Sequence, residues 1–542
     1  MWPDIMWMYR ALDAPSDAAA QFDAGERGLR PEAGNSKANA YHWIAGLGAA
    51  GRKGESIVKH AGGLAVVILV AWLGSAFMTE HTLHASEAAA VAPPAPVLPV
   101  PTPRQMAWFE REMIAFAHFG VNTFTDAEWG TGKEDPAIFN PTAFDAREWA
   151  KVCKDGGLKM IVLTAKYHDG FCLWPSKYTT HSVKSSPWRG GKGDVVREVA
   201  DACREAGIDF GVYLSPWDRH EPAYGDSPRY NQYYLNQLTE LLTGYGTVSE
   251  LWFDGACGEG PNGKRQVYDF QAYWAKVRQL QPGACMFSDV GPDVRWVGNE
   301  QGFASDPNWA MIQRGKMGLG QSNPDQTHGL VDGPDFVPTE VNTSIRPGWF
   351  YHAKEDDKVK SLGQLLDNYY ASVGMNGVYM LNIPPDRRGL MHENDAARLR
   401  EFRRVIEATF ANDLARGRPA TASNVRGKAA AYGPDKALDG NKETYWATDD
   451  GVLAASLEVD LGEPVLFSRA MVQEYIRLGQ RVKAFAVEAW DGQAWKELGR
   501  GQTIGHKRLL RFPAVKARKV RLKIEDARAC PTISAFGLYL AP

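Results

Sequence analysis

The sequence predicts an α/β fold, a distorted (β/α)8 barrel of the TIM type, followed by an all-β sandwich of the jelly-roll kind. Three observations predict it. Between residues 104 and 410, eight short apolar runs are interleaved with longer amphipathic segments. The runs end in polar or aromatic residues, which is where a parallel barrel carries its chemistry. Beyond 416–421 helical periodicity fades, and short alternating strands separated by turns take over. A doubly wound open sheet is the alternative for the first part.

Residues 114–124 read as the first strand, carrying His118, Asn122 and Thr123. A helix over 145–155 follows, with Asp145 as N-cap and Gly156-Gly157 as its stop. The unbroken apolar run 160–164 is a strand that feeds Lys166-Tyr167-His168-Asp169-Gly170. Helix 194–206 ends at Gly207, and strand 210–214 leads into Ser215-Pro216-Trp217-Asp218. A helix over 230–245 precedes Glu250-Leu251-Trp252-Phe253-Asp254-Gly255, a buried strand with a carboxylate at its mouth. Further strands are expected at 285–287, 295–297, 348–351 and 378–381, with helices around 267–280, 359–373 and 394–410. Too few residues separate Asp289 from Arg295 for a crossover helix, so the second half of the barrel must be irregular. In the sandwich, strands are expected at 456–461, 484–490, 519–524 and 536–540.

Composition narrows the function. The 542-residue chain has a formal net charge of −3 and no basic block that would follow a phosphate backbone, which argues against nucleic acid as a partner. Its 18 Trp and 20 Tyr are suited to stacking on sugar rings, although large cores use them too. Six cysteines lie without Cys-x-x-Cys spacing, indicating neither zinc nor a dense disulfide framework. Arg52, Lys53 and Lys59, an apolar run over 62–78 and then small residues describe a secretory signal across 58–90, cleaved near 85–90. The expected organisation is an upstream extension over 1–57, that signal, a proline-rich linker over 91–103, a catalytic barrel over 104–415 and a sandwich over 416–542. Export would end in the periplasm or the medium, with membrane contact only through the signal.

Asp254 and Glu300 both close short apolar strands beside glycine. Two carboxylates on barrel loops are the minimal equipment for glycoside cleavage, one attacking or activating water and the other protonating the leaving oxygen. For Asp254, a strand-end acid that merely caps a turn is the plain alternative. His118, Lys166 and His168 would supply partners for sugar hydroxyls, while Tyr213, Trp217 and Trp252 would wall the ring.

The motifs Phe116-Ala-His-Phe-Gly120, Ala165-Lys-Tyr-His-Asp-Gly-Phe171, Tyr213-Leu-Ser-Pro-Trp217, Glu250-Leu-Trp-Phe-Asp-Gly255 and Leu381-Asn-Ile-Pro-Pro-Asp386 resemble glycoside hydrolase family 29, the retaining α-L-fucosidases. The resemblance implies that Asp254 is the nucleophile and that His118, His168, Tyr213 and Trp252 line a fucose pocket. Many members have His-His where this chain has Tyr167-His168, which leaves the contact at Tyr167 open. Asn299-Glu300-Gln301-Gly302 resembles the acid/base segment of the branch selective for α-1,3- and α-1,4-linked fucose, so the resemblance implies Glu300 as acid/base. Asp289 or Glu128 is the alternative donor. The implied substrate is a fucosylated oligosaccharide or glycan, with no cofactor for catalysis. The alternatives are a retaining glycosidase for another sugar and a sugar-binding protein without activity. The segment Lys436-Ala-Leu-Asp-Gly-Asn-Lys-Glu-Thr-Tyr-Trp446 resembles discoidin or coagulation-factor type C sandwiches, implying a structural Ca²⁺ near Asp439 and Thr444. The last strand offers Ser534-Ala535-Phe536 where such domains often supply a Glu.

Overall fold

Strands buried on both faces pair in parallel and close on themselves in the computed structural model, which describes residues 91–318 and 323–542. They are β1 (Met113–Ala117), β2 (Met160–Lys166), β3 (Asp209–Leu214), β4 (Glu250–Trp252), β5 (Cys285–Ser288), β6 (Val294–Trp296), β9 (Thr339–Ser344) and β10 (Gly377–Asn382). The ring runs β1-β10-β9-β6-β5-β4-β3-β2. Because β1 pairs with both β2 and β10, the open-sheet alternative is excluded. Two-residue strands β7 (Met311–Ile312) and β8 (Asp335–Phe336) form a separate antiparallel pair in the long connection before β9.

Alternation along the strands sorts the core into two layers. Ile114, Phe116, Met160, Val162, Tyr213, Trp252 and Met380 pack inside the barrel. Ala115, Ile161, Leu163, Val212 and Leu214 pack outward against the helices. Helix Ala146–Asp155 begins as its sequence predicts, the Asp145 carboxylate accepting from the backbone N–H groups of Arg147 and Glu148. Helix Val195–Ala206 ends on Gly207 at φ 71°, a left-handed position that favours glycine.

Two strand expectations are corrected. The first strand stops at Ala117, where pairing with β2 runs out, and Val121–Thr125 coils into a short helix carrying Asn122 and Thr123. Residues 348–351 form no strand. The place belongs to β9, whose inward residues Glu340, Asn342 and Ser344 are polar and hide the apolar signature. The connection between β5 and β6 is a tight turn without a helix, as its length requires.

The C-terminal sheet is antiparallel: β11 (Ala420–Ala422), β12 (Trp446–Ala447), β13 (Ala455–Glu474), β14 (Val482–Trp490), β15 (Trp495–Gly501), β16 (Arg508–Ala527) and β17 (Thr532–Tyr539). Its order is β12-β17-β13-β16-β14-β15, with β11 on β13, and register shifts in β13 mark where that long strand bends. Trp446, Leu457, Phe467, Phe485, Leu522 and Phe536 fill the space between its layers. The proline-rich tract lies along this sandwich: the carbonyls of Ala92 and Ala95 accept from Arg426 and Arg481, each at 2.7 Å, and Val97 N–H donates to the Leu478 carbonyl. All six cysteines are free thiols. No helix among the described residues is long and apolar enough to cross a membrane. The proposed extension over 1–57 and signal over 58–90 lie outside the described residues.

At the N-terminal end of the barrel, Glu250 Oε2 accepts from the Trp108 indole at 3.1 Å, and Glu340 Oε1 accepts from the Trp252 indole at 2.8 Å. Glu250 Oε1 and Glu340 Oε2 are buried with no other hydrogen-bond partner. Burial first, and then the charge of Glu250, raise Glu340 well above the usual carboxylate range, so the pair shares one proton. The folded protein therefore holds a proton that the unfolded chain releases above about pH 4.3. The pair's contribution to stability is fully present below that value and is lost as pH rises through the raised value of Glu340. Glu340→Gln, which keeps both hydrogen bonds without the titration, should flatten this fall in denaturant unfolding measured between pH 5 and 8, while an unchanged slope would place the shared proton elsewhere.

Candidate active site

Trp252 and Asp254 lie two residues apart, so β4 and its continuation present both on the inner face. The Trp252 ring stacks on Phe287 at 3.9 Å between centroids, with Phe116 at 5.2 Å and Tyr213 at 5.4 Å. Its indole N–H is spent on Glu340, which leaves Trp252 an apolar surface to offer. Asp254 Oδ2 accepts from the Tyr213 hydroxyl at 2.9 Å and lies 3.8 Å from His168 Nε2, while Oδ1 accepts from Ala256 N–H at 2.8 Å. The carboxylate remains partly open, its side chain 23% exposed.

The two histidines are fixed as neutral acceptors by their far sides. Asn382 donates its amide to Ser344 Oγ and to the Trp349 carbonyl, so its Oδ1 faces His118 Nδ1 at 2.8 Å and receives a hydrogen bond. Ser215 donates to the Trp217 carbonyl at 2.6 Å, so its oxygen receives the Nδ1–H of His168 at 2.7 Å. Both Nε2 atoms are thereby left as acceptors. Burial pushes His118 down to about 3 and His168 down to about 4, the latter against the opposing pull of Asp254. Tyr167 packs between them, 5.4 Å from His118 and 4.1 Å from His168 between ring centroids. Trp217 lies 4.8 Å from His168, its indole donating to the Glu259 carbonyl.

Glu300 sits on the loop after β6, and its Oε2 accepts from the Trp349 indole at 3.4 Å. The same Trp349 ring lies 5.2 Å from His118, which ties the loop to the pocket wall. Glu300 is exposed to solvent, and crowding by the surrounding loops is nevertheless the largest influence on it. Burial, then the charges of Asp254 and Glu128, push it up to about 7. Glu128, weighed as an alternative donor, is engaged elsewhere: it accepts from the N–H groups of Trp349 and Phe350 and from His352 Nε2 at 2.6 Å. Asp289 is buried in the turn after β5, its carbonyl accepting from Gln326.

Trp349 and Asn382 orient these groups and had no role in the sequence reading. Residues 348–351 resembled a strand, and the Asn in Leu381-Asn-Ile-Pro-Pro-Asp386 carried no sign of its partner. Asp439 and Thr444, expected near a calcium ion, bond to each other at 2.7 Å, and the second carboxylate oxygen accepts from Asn441 N–H. The turn is thus closed by its own hydrogen bonds, and its other carboxylate, Glu443, is taken up by Tyr475 and Arg477, which fits calcium poorly. No group of three or more His, Cys, Asp or Glu able to hold a metal occurs among the described residues.

Comparison with known proteins bears on the family and the fold. Residues 97–408 match the alpha-L-fucosidase family, and residues 419–535 match the F5/8 type C domain. The chain is 46% identical to alpha-L-fucosidase 1 of Arabidopsis thaliana over 82% of its own length and 88% of that protein. A Ruminococcus gnavus GH29 fucosidase solved in complex with fucose superposes with a TM-score of 0.78 at 34% identity, covering 84% of this chain and 97% of that one. A glycoside hydrolase 29 family member from an unknown rumen bacterium gives 0.73 at 42% identity, covering 83% and 78%.

One expected pocket residue is displaced. Lys166 does not face the pocket, because the pairing of β2 with β3 slips between Thr164 and Lys166 and turns the side chain outward beside Leu214. Its ammonium is fully buried against Asp218 at 2.9 Å and Gln237 at 3.0 Å, among the rings of Tyr230, Tyr233 and Tyr234. Removing one partner of such a pair strands a buried charge. Lys166→Met should therefore cost about 3–5 kcal/mol in denaturant unfolding at pH 7, and a loss below about 1 kcal/mol would contradict the ion pair as described.

Proposed function

The chain belongs to the α-L-fucosidase family, glycoside hydrolase family 29, and from that premise we propose an exported retaining enzyme with Asp254 as nucleophile and Glu300 as acid/base. The activity itself is that of an α-L-fucosidase, on a barrel joined to an F5/8 type C domain. What supports the assignment is a partly open Asp254 whose charge reaches Glu300 and helps to push it up to about 7.

Asp254 attacks the anomeric carbon while Glu300 delivers its proton to the departing oxygen. The resulting β-linked ester has no charge at Asp254. One cause of the raised Glu300 value is thereby gone, and the carboxylate now takes a proton from the attacking water. The acceptor nitrogens of His118 and His168 receive sugar hydroxyls, and Tyr213 holds Asp254 in line. Tyr167, Trp217 and Trp252 supply ring faces for the apolar side of the deoxysugar. This chemistry needs no cofactor.

The proposed substrates are glycans bearing α-1,3- or α-1,4-linked branching fucose, supported by the likeness of Asn299-Glu300-Gln301-Gly302 to that branch. Export, to the periplasm or the medium, rests on the sequence pattern of 58–90. A calcium ion at Asp439 would require Thr444 to give up its bond to that carboxylate; chelation by EDTA that lowers the unfolding temperature would support it, and no change would remove it.

Azide separates the two catalytic roles by stereochemistry. With an activated aryl α-L-fucoside, Asp254→Gly should be nearly inactive and, given azide, should release β-fucosyl azide through a single inversion. Glu300→Ala should release α-fucosyl azide, because azide then attacks the covalent intermediate. Activity surviving in Asp254→Gly without azide, or interchanged products, would overturn the assignments.

A further inference from the structure

The loop that carries Glu300 is attached to the C-terminal sandwich at both of its supports. On one side the loop hangs from helix Leu362–Ser372. Asn368 Nδ2 donates to the carbonyls of Gln301 and Gly302, at 3.0 and 3.1 Å, and Ala304 N–H donates to the Ala371 carbonyl at 2.8 Å. The fit is close, since a Cβ on Gly302 would lie 2.5 Å from Asn368 Nδ2 and its φ is 82°. That helix and the turn after it are themselves gripped by the sandwich. Arg511 pairs with Asp367, Arg469 donates to the Tyr370 hydroxyl, and Leu509 N–H donates to the Gly374 carbonyl.

On the other side the chain runs from Glu300 straight into Asp306, Asn308 and Ala310, each bonded to the sandwich. Asp306 accepts from Arg508 at 2.6 Å and from Gln502 N–H at 3.2 Å. Asn308 N–H donates to Thr503 Oγ1 at 3.0 Å, and Ala310 N–H donates to Gln480 Oε1 at 2.8 Å. Arg508 is almost fully buried, and its Nε and Nη1 have no hydrogen-bond partner, so Asp306, bonded through Nη2, is the group that compensates its charge. The barrel shares in this support, since Arg295, Thr339 and the Met375 carbonyl also bond Asn308, but β6 is only three residues long and the described part of the connection to β9 holds only a five-residue helix, Pro324–His328. The sandwich therefore backs the Glu300 loop alongside these barrel contacts.

We propose that the sandwich positions Glu300: Arg508, Thr503 and Gln480, acting through residues 306–310, set the distance between Glu300 and the glycosidic oxygen. They are positioning residues, and their role rests on the reading of Glu300 as acid/base. Loss of the clamp should therefore weaken proton delivery and leave the attack by Asp254 intact.

The test compares two leaving groups in the full-length enzyme. A fucosyl disaccharide needs a proton to depart, whereas an aryl fucoside with an acidic phenol does not. In Asp306→Ala and Thr503→Val, kcat/KM on the disaccharide should fall about tenfold further than on the aryl fucoside, and Asp306→Asn should recover most of the difference. Thr503→Val preserves side-chain shape, so it carries the test if Asp306→Ala does not fold. Equal losses on the two substrates, with Glu300→Gln still discriminating between them, would reduce the clamp to a stability feature and overturn the proposal. Failure of Glu300→Gln to discriminate would overturn the acid/base assignment, and the clamp with it.

Discussion

The carboxylate of Asp254 is the constraint to which the mouth of the barrel is fitted. Around it stand groups that can receive or donate a hydrogen bond without bringing positive charge: a tyrosine hydroxyl and two imidazoles held neutral by burial. The one lysine of the adjoining segment is turned away and neutralised by Asp218. An arginine or lysine against Asp254 would stabilise it as an ion pair and weaken it as a nucleophile. Leaving the negative charge without a cation also acts at a distance, because it contributes to keeping the proton on Glu300.

The tautomers of the histidines show how the rest of the fold serves this arrangement. His118 faces the pocket with a lone pair because Asn382 is oriented by Ser344 and by the Trp349 carbonyl. His168 does so because Ser215 has its own proton committed to Trp217. Trp349 joins the two halves of the site: its carbonyl fixes Asn382, its indole bonds Glu300, and Glu128 holds its backbone. Beneath them, the shared proton of Glu250 and Glu340 secures the indoles of Trp108 and Trp252, so that the lower ring of the pocket is set from the closed end of the barrel.

Much of this was legible in the sequence, and the gaps have physical causes. Strands such as 160–164 and 210–214 are visible because a parallel barrel buries both faces. Strand β9 was hidden because its inward positions carry Glu340, Asn342 and Ser344, which is the polar interior of the site itself. Asp254 and Glu300 stand out in the sequence because each follows a short apolar run beside a glycine. Lys166 was misplaced because a one-residue slip in pairing leaves no mark on the chain yet reverses a side chain. Trp349 and Asn382 were missed because their value lies in partners distant in sequence. The dependence of the Glu300 loop on Arg508 and Thr503 belongs to the same class, for no local pattern joins residues so far apart.

The most direct test is the ionisation of Glu300, read by ¹³C NMR of a protein labelled at glutamate carboxyls, with Glu300→Gln to assign the signal. The account predicts a midpoint near 7 that moves down in Asp254→Asn. A midpoint near the ordinary glutamate value of about 4.3 in both proteins would contradict it.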